Sequence, residues 1–347
     1  SSIIVYTSAQ EDTSAYDADW LSNFGVEVIR DKSKILLPTP RVNRAVARIV
    51  RERSIKTIAF GAAAPLGWMS STLRRAGAQR IVALTHGHEV WWSKVFPFTL
   101  AMKRISRQVD HLTYLGEFTR HAISKSVTKK AAQSMVKIAP GIDVDHFLPT
   151  DASALRKSLG LTEKKVIVSV GRLVHRKGQD RLIEAMPEIL KTVSNAHLLL
   201  VGEGPHRDHL QKLIQKHRLE GSVTLIGRID YKDLPLYICV GDVFAMPSRS
   251  RLMGLEVEGL GIVYLEASAC GLPVLAGNSG GAPDAVVQNE TGLVVDGTNN
   301  KEIADAAIEL LTKVDLSKKM GAAGRQWIVE NWRWEIWSRS FEDLLNK

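Results

Sequence analysis

Two glutamates, Glu258 and Glu266, stand eight residues apart around a short glycine-containing turn. The turn, Gly259 to Ile262, is typical of the opening of a helix, and the bare backbone N–H groups of a helix N-terminus bind anions. A carboxylate on each side of a phosphate cradle fits a ligand with phosphate at its centre and hydroxyl groups at both ends. A nucleotide sugar has this form, so the spacing predicts a nucleotide-sugar site.

A structural role for the two glutamates is the alternative. Glu258 would then be an acid that the helix dipole favours, and Glu266 a solvated helix residue. The alternative is weak at Glu266, because the apolar Ile262, Val263 and Leu265 surround it in sequence. A buried carboxylate needs a partner, and ribose hydroxyls would serve.

Two cations follow the predicted strand Val166–Val170, at Arg172 and Lys177. The guanidinium fork of Arg and the point charge of Lys both suit phosphate oxygens. Fixed cations at this place would stabilise the negative charge of a leaving diphosphate; the alternative is a basic surface loop. Backbone groups near Ile229, which follows the predicted strand Val223–Ile226, could form hydrogen bonds with the edge of a nucleotide base. The alternative is a plain turn.

A histidine motif, Thr85-His86-Gly87-His88-Glu89, follows another predicted strand. His86 at the carboxyl end of a strand could form a hydrogen bond with a sugar hydroxyl. The pattern could also suggest a metal, but no further cluster with ligand spacing accompanies it, so we expect no metal site. The turn Gly202-Glu203-Gly204 lacks the third glycine and the acid of a dinucleotide fingerprint, and a nicotinamide cofactor is not expected.

Basic and aromatic residues in the first half could meet an anionic membrane surface. Helical spacing places four arginines on one stripe, and an aromatic segment lies further along the chain. These membrane or acceptor candidates are Arg41, Arg44, Arg48, Arg51, Trp91, Trp92 and Lys94. A solvated helix face and a core segment are the respective alternatives.

The net charge is concentrated in the same half. Residues 1–149 hold 21 Lys+Arg and 12 Asp+Glu, a balance of +9, while residues 150–347 hold 25 of each, which together give the +9 of the 347-residue chain. The two halves therefore suit different partners. Two cysteines make no disulfide framework, which favours a reducing cytosol. Because the chain opens at Ser1 without an initiator Met, we expect a segment to precede it.

Strand and helix patterns alternate along the chain, which predicts an α/β fold of parallel sheets with helices on both faces. The predicted strands are Ser2–Thr7, Val26–Ile29, Thr57–Phe60, Ile81–Leu84, His111–Tyr114, Met135–Ile138, Val166–Val170, His197–Val201, Val223–Ile226, Val243–Met246, Pro273–Ala276 and Gly292–Val295. The stretch Pro140–Pro149 interrupts the alternation. We predict two Rossmann-like, doubly wound domains, 1–149 and 150–330, that face each other across a cleft, and a final helix in 331–347 that packs back on the first domain.

Four motifs together resemble glycosyltransferase family 4, whose members have the GT-B fold. The motifs are Glu258-x7-Glu266, Gly171-Arg172-x4-Lys177-Gly178, Pro140-Gly141-Ile142-Asp143-x3-Phe147 and Thr85-His86-Gly87, and they occur in the family's order. Within the family, residues 60–66, 85–90, 242–247, 257–263 and 277–283 are most similar to phosphatidylinositol mannoside α-mannosyltransferases of the PimB type.

The resemblance implies a role for each matched residue. Arg172 and Lys177 would hold the donor diphosphate, and His86 would lie near the transferred sugar. Glu258 would contact the mannose and Glu266 the ribose. The turn residues beside the donor would be Gly259, Leu260, Gly261, Ile262 and Val263.

The resemblance also implies the reaction. Mannose would pass from GDP-mannose, with retention of anomeric configuration, to phosphatidylinositol monomannoside and give the dimannoside. The enzyme would lie peripherally at the cytoplasmic face of the plasma membrane and need no metal, other cofactor or nucleic acid. The alternatives are a soluble acceptor such as inositol phosphate or a glycan, a UDP-sugar donor, and a peripheral membrane-binding protein with a vestigial nucleotide cleft.

Overall fold

The computed structural model describes residues 3–346, and its backbone divides into two compact units. Unit 1 takes in residues 3–113, 123–136 and 343–346, and unit 2 takes in residues 114–122 and 137–342. The ranges 1–149, 150–330 and 331–347 expected from the sequence stay predictions. Ser2, the first residue of a predicted strand, lies outside the described residues.

Strands and helices alternate in the first part of the chain, as predicted. The elements are β1 (Ile3–Thr7), α1 (Ser14–Phe24), β2 (Val26–Arg30), α2 (Pro40–Glu52), β3 (Thr57–Phe60), α3 (Ser70–Ala76), β4 (Arg80–Ala83), α4 (Glu89–Trp92), α5 (Phe98–Ser106), β5 (His111–Tyr114), α6 (Glu117–Ser124), α7 (Lys129–Gln133) and β6 (Val136–Lys137). Each predicted strand that lies wholly within residues 3–346 is present with its ends within one residue of the expected positions.

These strands form two separate arrays, in which the pairs β1-β2, β3-β4 and β4-β5 are parallel. Strand β1 pairs with β2, and a four-stranded sheet has the order β3-β4-β5-β6. Helix α2 begins at Thr39, whose hydroxyl accepts a hydrogen bond from the Val42 amide, with Pro40 in the first turn. Both features are favoured at a helix start.

The remaining elements continue the alternation. They are α8 (Ser153–Ser158), β7 (Lys165–Val170), α9 (Gln179–Thr192), β8 (Ala196–Val201), α10 (Arg207–His217), β9 (Val223–Gly227), α11 (Leu234–Cys239), β10 (Val243–Met246), α12 (Ile262–Ala269), β11 (Val274–Gly277), β12 (Gly292–Val295), α13 (Asn300–Thr312), α14 (Val314–Asn331) and α15 (Trp334–Asn346). One six-stranded sheet has the order β12-β11-β10-β7-β8-β9, and the strands paired in it are parallel.

Alternate residues of this sheet belong to two different cores. Val166 and Val168 of β7 pack in one cluster, and Ile167 between them packs in the other. Because successive side chains of a strand point to opposite faces, the sheet is buried on both sides. This explains the nearly continuous apolar runs, which are typical of parallel sheets covered by helices.

The topology sets where a ligand can bind. Parallel strands end at the same edge of a sheet, and in open α/β sheets ligands bind beyond the carboxyl ends of the strands. The segments that follow β7, β10 and β11 therefore meet at one edge of unit 2, and those that follow β3 and β4 meet at one edge of unit 1. Among residues 3–346, no helix is both long enough and apolar enough to span a bilayer.

Candidate active site

The segment after β7 brings Lys177 to the sheet edge. It contains a short 3-10 turn, His175–Lys177, that ends at Gly178 with φ of 78°. A Cβ at Gly178 would lie 2.1 Å from the carbonyl oxygen of Pro247, so only glycine permits this approach of the two segments. The Lys177 side chain is buried here, 11% exposed.

Glu258 meets Lys177 at this edge. Glu258 Oε2 lies 2.9 Å from Lys177 Nζ and 3.9 Å from Arg176 Nε. The first is an ion-pair distance, although the atoms are not aligned as a hydrogen bond. The Glu258 amide donates to Ser279 Oγ at 3.2 Å, which anchors the segment to the loop after β11. The structure thus brings together Lys177 and Glu258, which the sequence assigned to one site, and adds Ser279, which the sequence did not single out.

The turn after Glu258 leads into helix α12. Gly261 caps this helix with φ of 80°, and a Cβ there would lie 2.3 Å from Tyr264 Cε2. In the part of the chain that the structure describes, the amide nitrogens of residues 259–263 have no protein acceptor. Together with the positive end of the helix dipole, these amides can bind an anion. Leu260 is buried at 3% exposure, whereas Ile262 is 42% exposed.

Glu266 lies one turn into α12. Burial raises the pKa of its carboxyl to about 7, and the positive charge of Lys177 opposes the rise. Within residues 3–346, no cation lies at ion-pair distance from it. Tyr231 is close enough for the Glu266 charge to raise its pKa, in addition to the rise from burial. Its side chain is half-buried, and a half-buried carboxylate without an ion pair suits hydroxyl donors from a ligand.

Two further predicted donor residues lie at the same edge. Arg172 follows β7 and is exposed. Its backbone carbonyl accepts a hydrogen bond from Gln179 Nε2 at 3.3 Å. Among residues 3–346, no hydrogen bond or ion pair involves its guanidinium, which is therefore available to a ligand. Ile229 follows β9, is half-buried and packs against the hydrophobic core.

A buried ion pair that the sequence did not reveal supports the segment after β10. Arg249, 4% exposed, donates to both carboxylate oxygens of Asp180, at 2.9 and 2.6 Å, and also donates to His175 Nδ1 at 2.6 Å. Burial alone would raise the pKa of Asp180, but the Arg249 hydrogen bonds lower it. The Arg249 amide donates to Arg176 O at 2.9 Å. The Arg249–Asp180 pair thus fixes the segment that is hydrogen-bonded to the Lys177 turn.

The histidine motif occupies the edge of unit 1 after β4. His86 Nε2 contacts the carbonyl oxygen of Gly61. Because a carbonyl only accepts, this nitrogen carries the proton and leaves Nδ1 as an acceptor. The His86 amide donates to Glu89 Oε2 at 2.9 Å. His86 is therefore held in place from two sides with an acceptor nitrogen available to a hydroxyl.

Glu89 is a further residue that the sequence did not single out. Its carboxylate is fully buried, and Oε1 lies 3.2 Å from His88 Nε2. That nitrogen also contacts Ala64 O at 2.9 Å. Both neighbours are acceptors, so His88 Nε2 is protonated. In the sequence, only the position of Glu89 in the His-x-His-Glu pattern could have indicated this residue. Among residues 3–346, no group of His, Cys, Asp and Glu side chains is arranged to hold a metal ion.

The membrane candidates have mixed surroundings. Arg41 forms a bidentate pair with Asp31, at 2.8 and 2.6 Å, and Arg48 lies 3.9 Å from Glu52. Arg44 donates to Pro40 O, and Arg51 is exposed. Trp91 and Trp92 are half-buried and pack against Phe98, with ring centroids 4.7 and 4.8 Å away. Lys94 is exposed.

The family described as "Glycosyl transferases group 1" matches residues 151–327. A Mycobacterium tuberculosis protein, "GDP-mannose-dependent alpha-(1-6)-phosphatidylinositol monomannoside mannosyltransferase", is 43% identical over 343 residues, 98% of this chain and 88% of its own length. A Corynebacterium glutamicum protein whose name specifies the monoacylated form of that acceptor is 41% identical over 350 residues, 99% of this chain and 90% of its own.

A solved structure of Anabaena Alr3699/HepE in complex with UDP has a TM-score of 0.81 to this chain and 17% identity, covering 99% of both chains. This likeness shows the fold, and the α/β, GT-B fold with parallel sheets predicted from the sequence is confirmed.

Proposed function

The chain belongs to the family of group 1 glycosyl transferases, and from this premise we propose that it transfers mannose from GDP-mannose to phosphatidylinositol monomannoside. It is a glycosyltransferase by family. The donor and the acceptor of the proposal come from relatives that are 41–43% identical over nearly their whole length and carry these substrates in their names.

One observation supports the donor site above all others. Lys177 and Glu258 form a buried pair, with Nζ 2.9 Å from Oε2, next to the five amides of 259–263 that have no protein acceptor. A cation, a carboxylate and a row of N–H groups at one edge match a ligand with a charged diphosphate and a hydroxyl-bearing sugar.

The proposed role of the cations is to stabilise the leaving group. Transfer breaks the bond between mannose C1 and a diphosphate oxygen, which keeps the electron pair, and forms a bond from C1 to the acceptor oxygen, whose hydroxyl proton is released. Negative charge then develops on the diphosphate, where Lys177, Arg172 and the N-terminal amides of α12 would lower the barrier. Glu258 would bind the mannose and Glu266 the ribose, with Ile229 beside the base.

The acceptor side of the proposal rests on unit 1. His86 offers Nδ1 as an acceptor at the edge after β4 and would bind a hydroxyl of the transferred sugar. Transfer with retention at the cytoplasmic face of the plasma membrane, by a peripheral protein without a metal or other cofactor, completes the proposal. Its support is the basic charge of the first half and the lipid acceptor in the relatives' names.

A turnover assay tests the proposal. The protein is incubated with radiolabelled GDP-mannose or UDP-sugars, with and without phosphatidylinositol monomannoside, and the lipid products are separated. We expect a dimannosylated lipid when GDP-mannose and phosphatidylinositol monomannoside are both present, and none when a UDP-sugar replaces GDP-mannose. A product formed only from a UDP-sugar, or only with a soluble acceptor such as inositol phosphate, would replace the donor or the acceptor. Absence of transfer from every donor would favour a binding protein with a vestigial site.

A further inference from the structure

Helix α5 exposes a mixed apolar and basic face. Its buried side contains Met102 and Ile105, both 0% exposed. Its exposed side carries an apolar residue and three cations at the i, i+3, i+4 and i+7 positions of one helical face, namely Leu100, Lys103, Arg104 and Arg107. Leu100 is 58% exposed, so this side of the helix is not covered by the protein.

Two large apolar side chains extend this face. Phe96, just before the helix, is 76% exposed, and Trp68 is 43% exposed. The Arg104 guanidinium lies 5.0 Å from the Trp68 ring centroid in a cation–π contact, which joins the tryptophan to the helix. We call Trp68, Phe96, Leu100, Lys103, Arg104 and Arg107 the α5 patch. No carboxylate of residues 3–346 lies at ion-pair distance from its three cations.

We infer that the α5 patch docks on the surface of an anionic lipid bilayer. Aromatic and aliphatic side chains enter the interface between headgroups and acyl chains, while adjacent cations meet the lipid phosphates. A face with large exposed apolar groups and three cations fits this environment and fits bulk water poorly.

A second exposed apolar face, on helix α1, lacks the positive charge of the α5 patch. Helix α1 also exposes Tyr16, Leu21 and Phe24, at 59, 55 and 68%, but it carries Asp17 and Asp19 and no Lys or Arg. Asp17 is paired with Arg30, and the helix itself offers no cation to lipid phosphates. The α2 stripe is the opposite case, because it is basic but two of its arginines already have carboxylate partners, Asp31 and Glu52.

The position of the patch connects it with the candidate site. Trp68 belongs to the turn Leu66–Met69, which begins two residues after Ala64, and the Ala64 carbonyl is a partner of His88. A bilayer on the α5 patch would therefore lie beside the histidine motif. This part of the inference rests on the proposed function, since a lipid acceptor would reach His86 from that surface.

Vesicle sedimentation tests the inference. The whole chain is mixed at low salt with phosphatidylcholine vesicles that contain or lack phosphatidylglycerol. We expect binding only to the anionic vesicles, weakened as salt shortens the screening length. Each of Lys103→Ala and Arg104→Ala should weaken it roughly fivefold, as expected for a cation near the surface, and Phe96→Glu should weaken it more. Phe24→Glu is the matched control, since it places the same charge on the exposed α1 face, and Arg48→Ala is the control for the α2 stripe.

The result that overturns the inference is equally specific. Binding by Phe96→Glu that equals the parent's, equal loss in Phe24→Glu, or no vesicle binding by the parent would exclude the α5 patch as a lipid surface. The remaining explanation for the α5 patch would then be a protein partner. Circular dichroism melting curves should coincide for all variants, because each changed side chain is exposed.

A second measurement separates this inference from the proposed function. We expect Phe96→Glu to transfer mannose normally to deacylated, water-soluble phosphatidylinositol monomannoside and poorly to the same acceptor in vesicles. Equal rates with both acceptors would contradict the lipid-docking role. No transfer by the parent to either acceptor would contradict the proposed function, while its vesicle binding would still decide the role of the patch.

Discussion

Glu258 Oε2 lies 2.9 Å from Lys177 Nζ, and both side chains are about nine-tenths buried. The two residues come from different loops, one after β7 and one after β10, so the fold itself creates the pair. Removal of one member leaves the other charge buried with a weaker partner, which costs stability. Removal of both members leaves no unpaired buried charge and need not cost stability. Comparison of the single and double variants therefore separates structural effects from catalytic ones.

We predict that Lys177→Met lowers both the free energy of unfolding and the rate of mannose transfer. The rate should fall about 10²- to 10³-fold, as for loss of one group that stabilises charge in the transition state. Lys177→Met/Glu258→Gln should recover most of the lost stability in urea denaturation but none of the activity. Lys301→Met, which removes an exposed pair with Asp305, is the control. Recovery of transfer in the double variant would show that the pair is only structural.

Glu266 gives a pH prediction. Because burial raises the pKa of its carboxyl from 4.5 to about 7, the folded protein retains a proton that the unfolded chain loses between these values. The contribution of this group to stability therefore falls as pH rises from about 4.5 to about 7, by at most about 3 kcal/mol.

We expect Glu266→Gln to remove this decline. The measurement is urea denaturation of both proteins at a series of pH values across the same interval. The difference between the two curves isolates Glu266, because other titrating groups are common to both. A constant difference across the interval would mean that Glu266 titrates normally in the folded protein.

Glu89 supplies a prediction about the histidine motif. Its Oε2 accepts from the His86 amide, and its Oε1 lies 3.2 Å from His88 Nε2. Glu89→Gln keeps the shape but presents an amide that can direct N–H groups at these donors. We expect kcat to fall at least tenfold, because His86 is displaced. The affinity for GDP should change little, because its proposed site is in unit 2.

Glu89→Asp is the matched variant for this position, since it keeps the charge and shortens the side chain. We expect it to recover part of kcat. Equal kcat for the parent and Glu89→Gln would remove Glu89 as a positioning residue.

Much of the fold was predictable because its signals are local. The run of β7, Lys165–Val170, is apolar and β-branched, and Gly and charged residues bound it, so a buried parallel strand was the simplest interpretation. Lys177, Glu258 and Gly261 follow strand ends or open a helix, and parallel topology brings such positions to one edge. Their proximity followed from the order of elements, whereas their functional roles stay predictions.

The parts that escaped prediction depend on contacts between distant segments. Arg249 and Asp180 are 69 residues apart and pair in the interior, yet each alone looks like an ordinary surface residue. The separation of β1-β2 from β3-β4-β5-β6 is likewise a matter of pairing, which the strand patterns do not encode. Trp91 and Trp92 were candidates for a membrane surface, but their exposure depends on Phe98, which packs against both.

Gly261 lies in the turn whose amides we propose bind the diphosphate of the donor. Its φ is 80°, and a Cβ there would lie 2.3 Å from Tyr264 Cε2. Tyr264 cannot easily move, because its hydroxyl donates to Met246 O at 2.7 Å and it is fully buried. Gly261→Ala should therefore lower stability by roughly 2–5 kcal/mol.

The same substitution should also weaken the binding of GDP, because the turn must shift and the amides of 259–263 move with it. Isothermal titration with GDP, at a temperature where both proteins are folded, should show at least a tenfold loss of affinity. Gly221→Ala is the matched control, since a Cβ there meets nothing within 4 Å. If Gly261→Ala lost stability and bound GDP as tightly as the parent, these amides would not hold the diphosphate, and Arg172 and Lys177 would have to bind it without them.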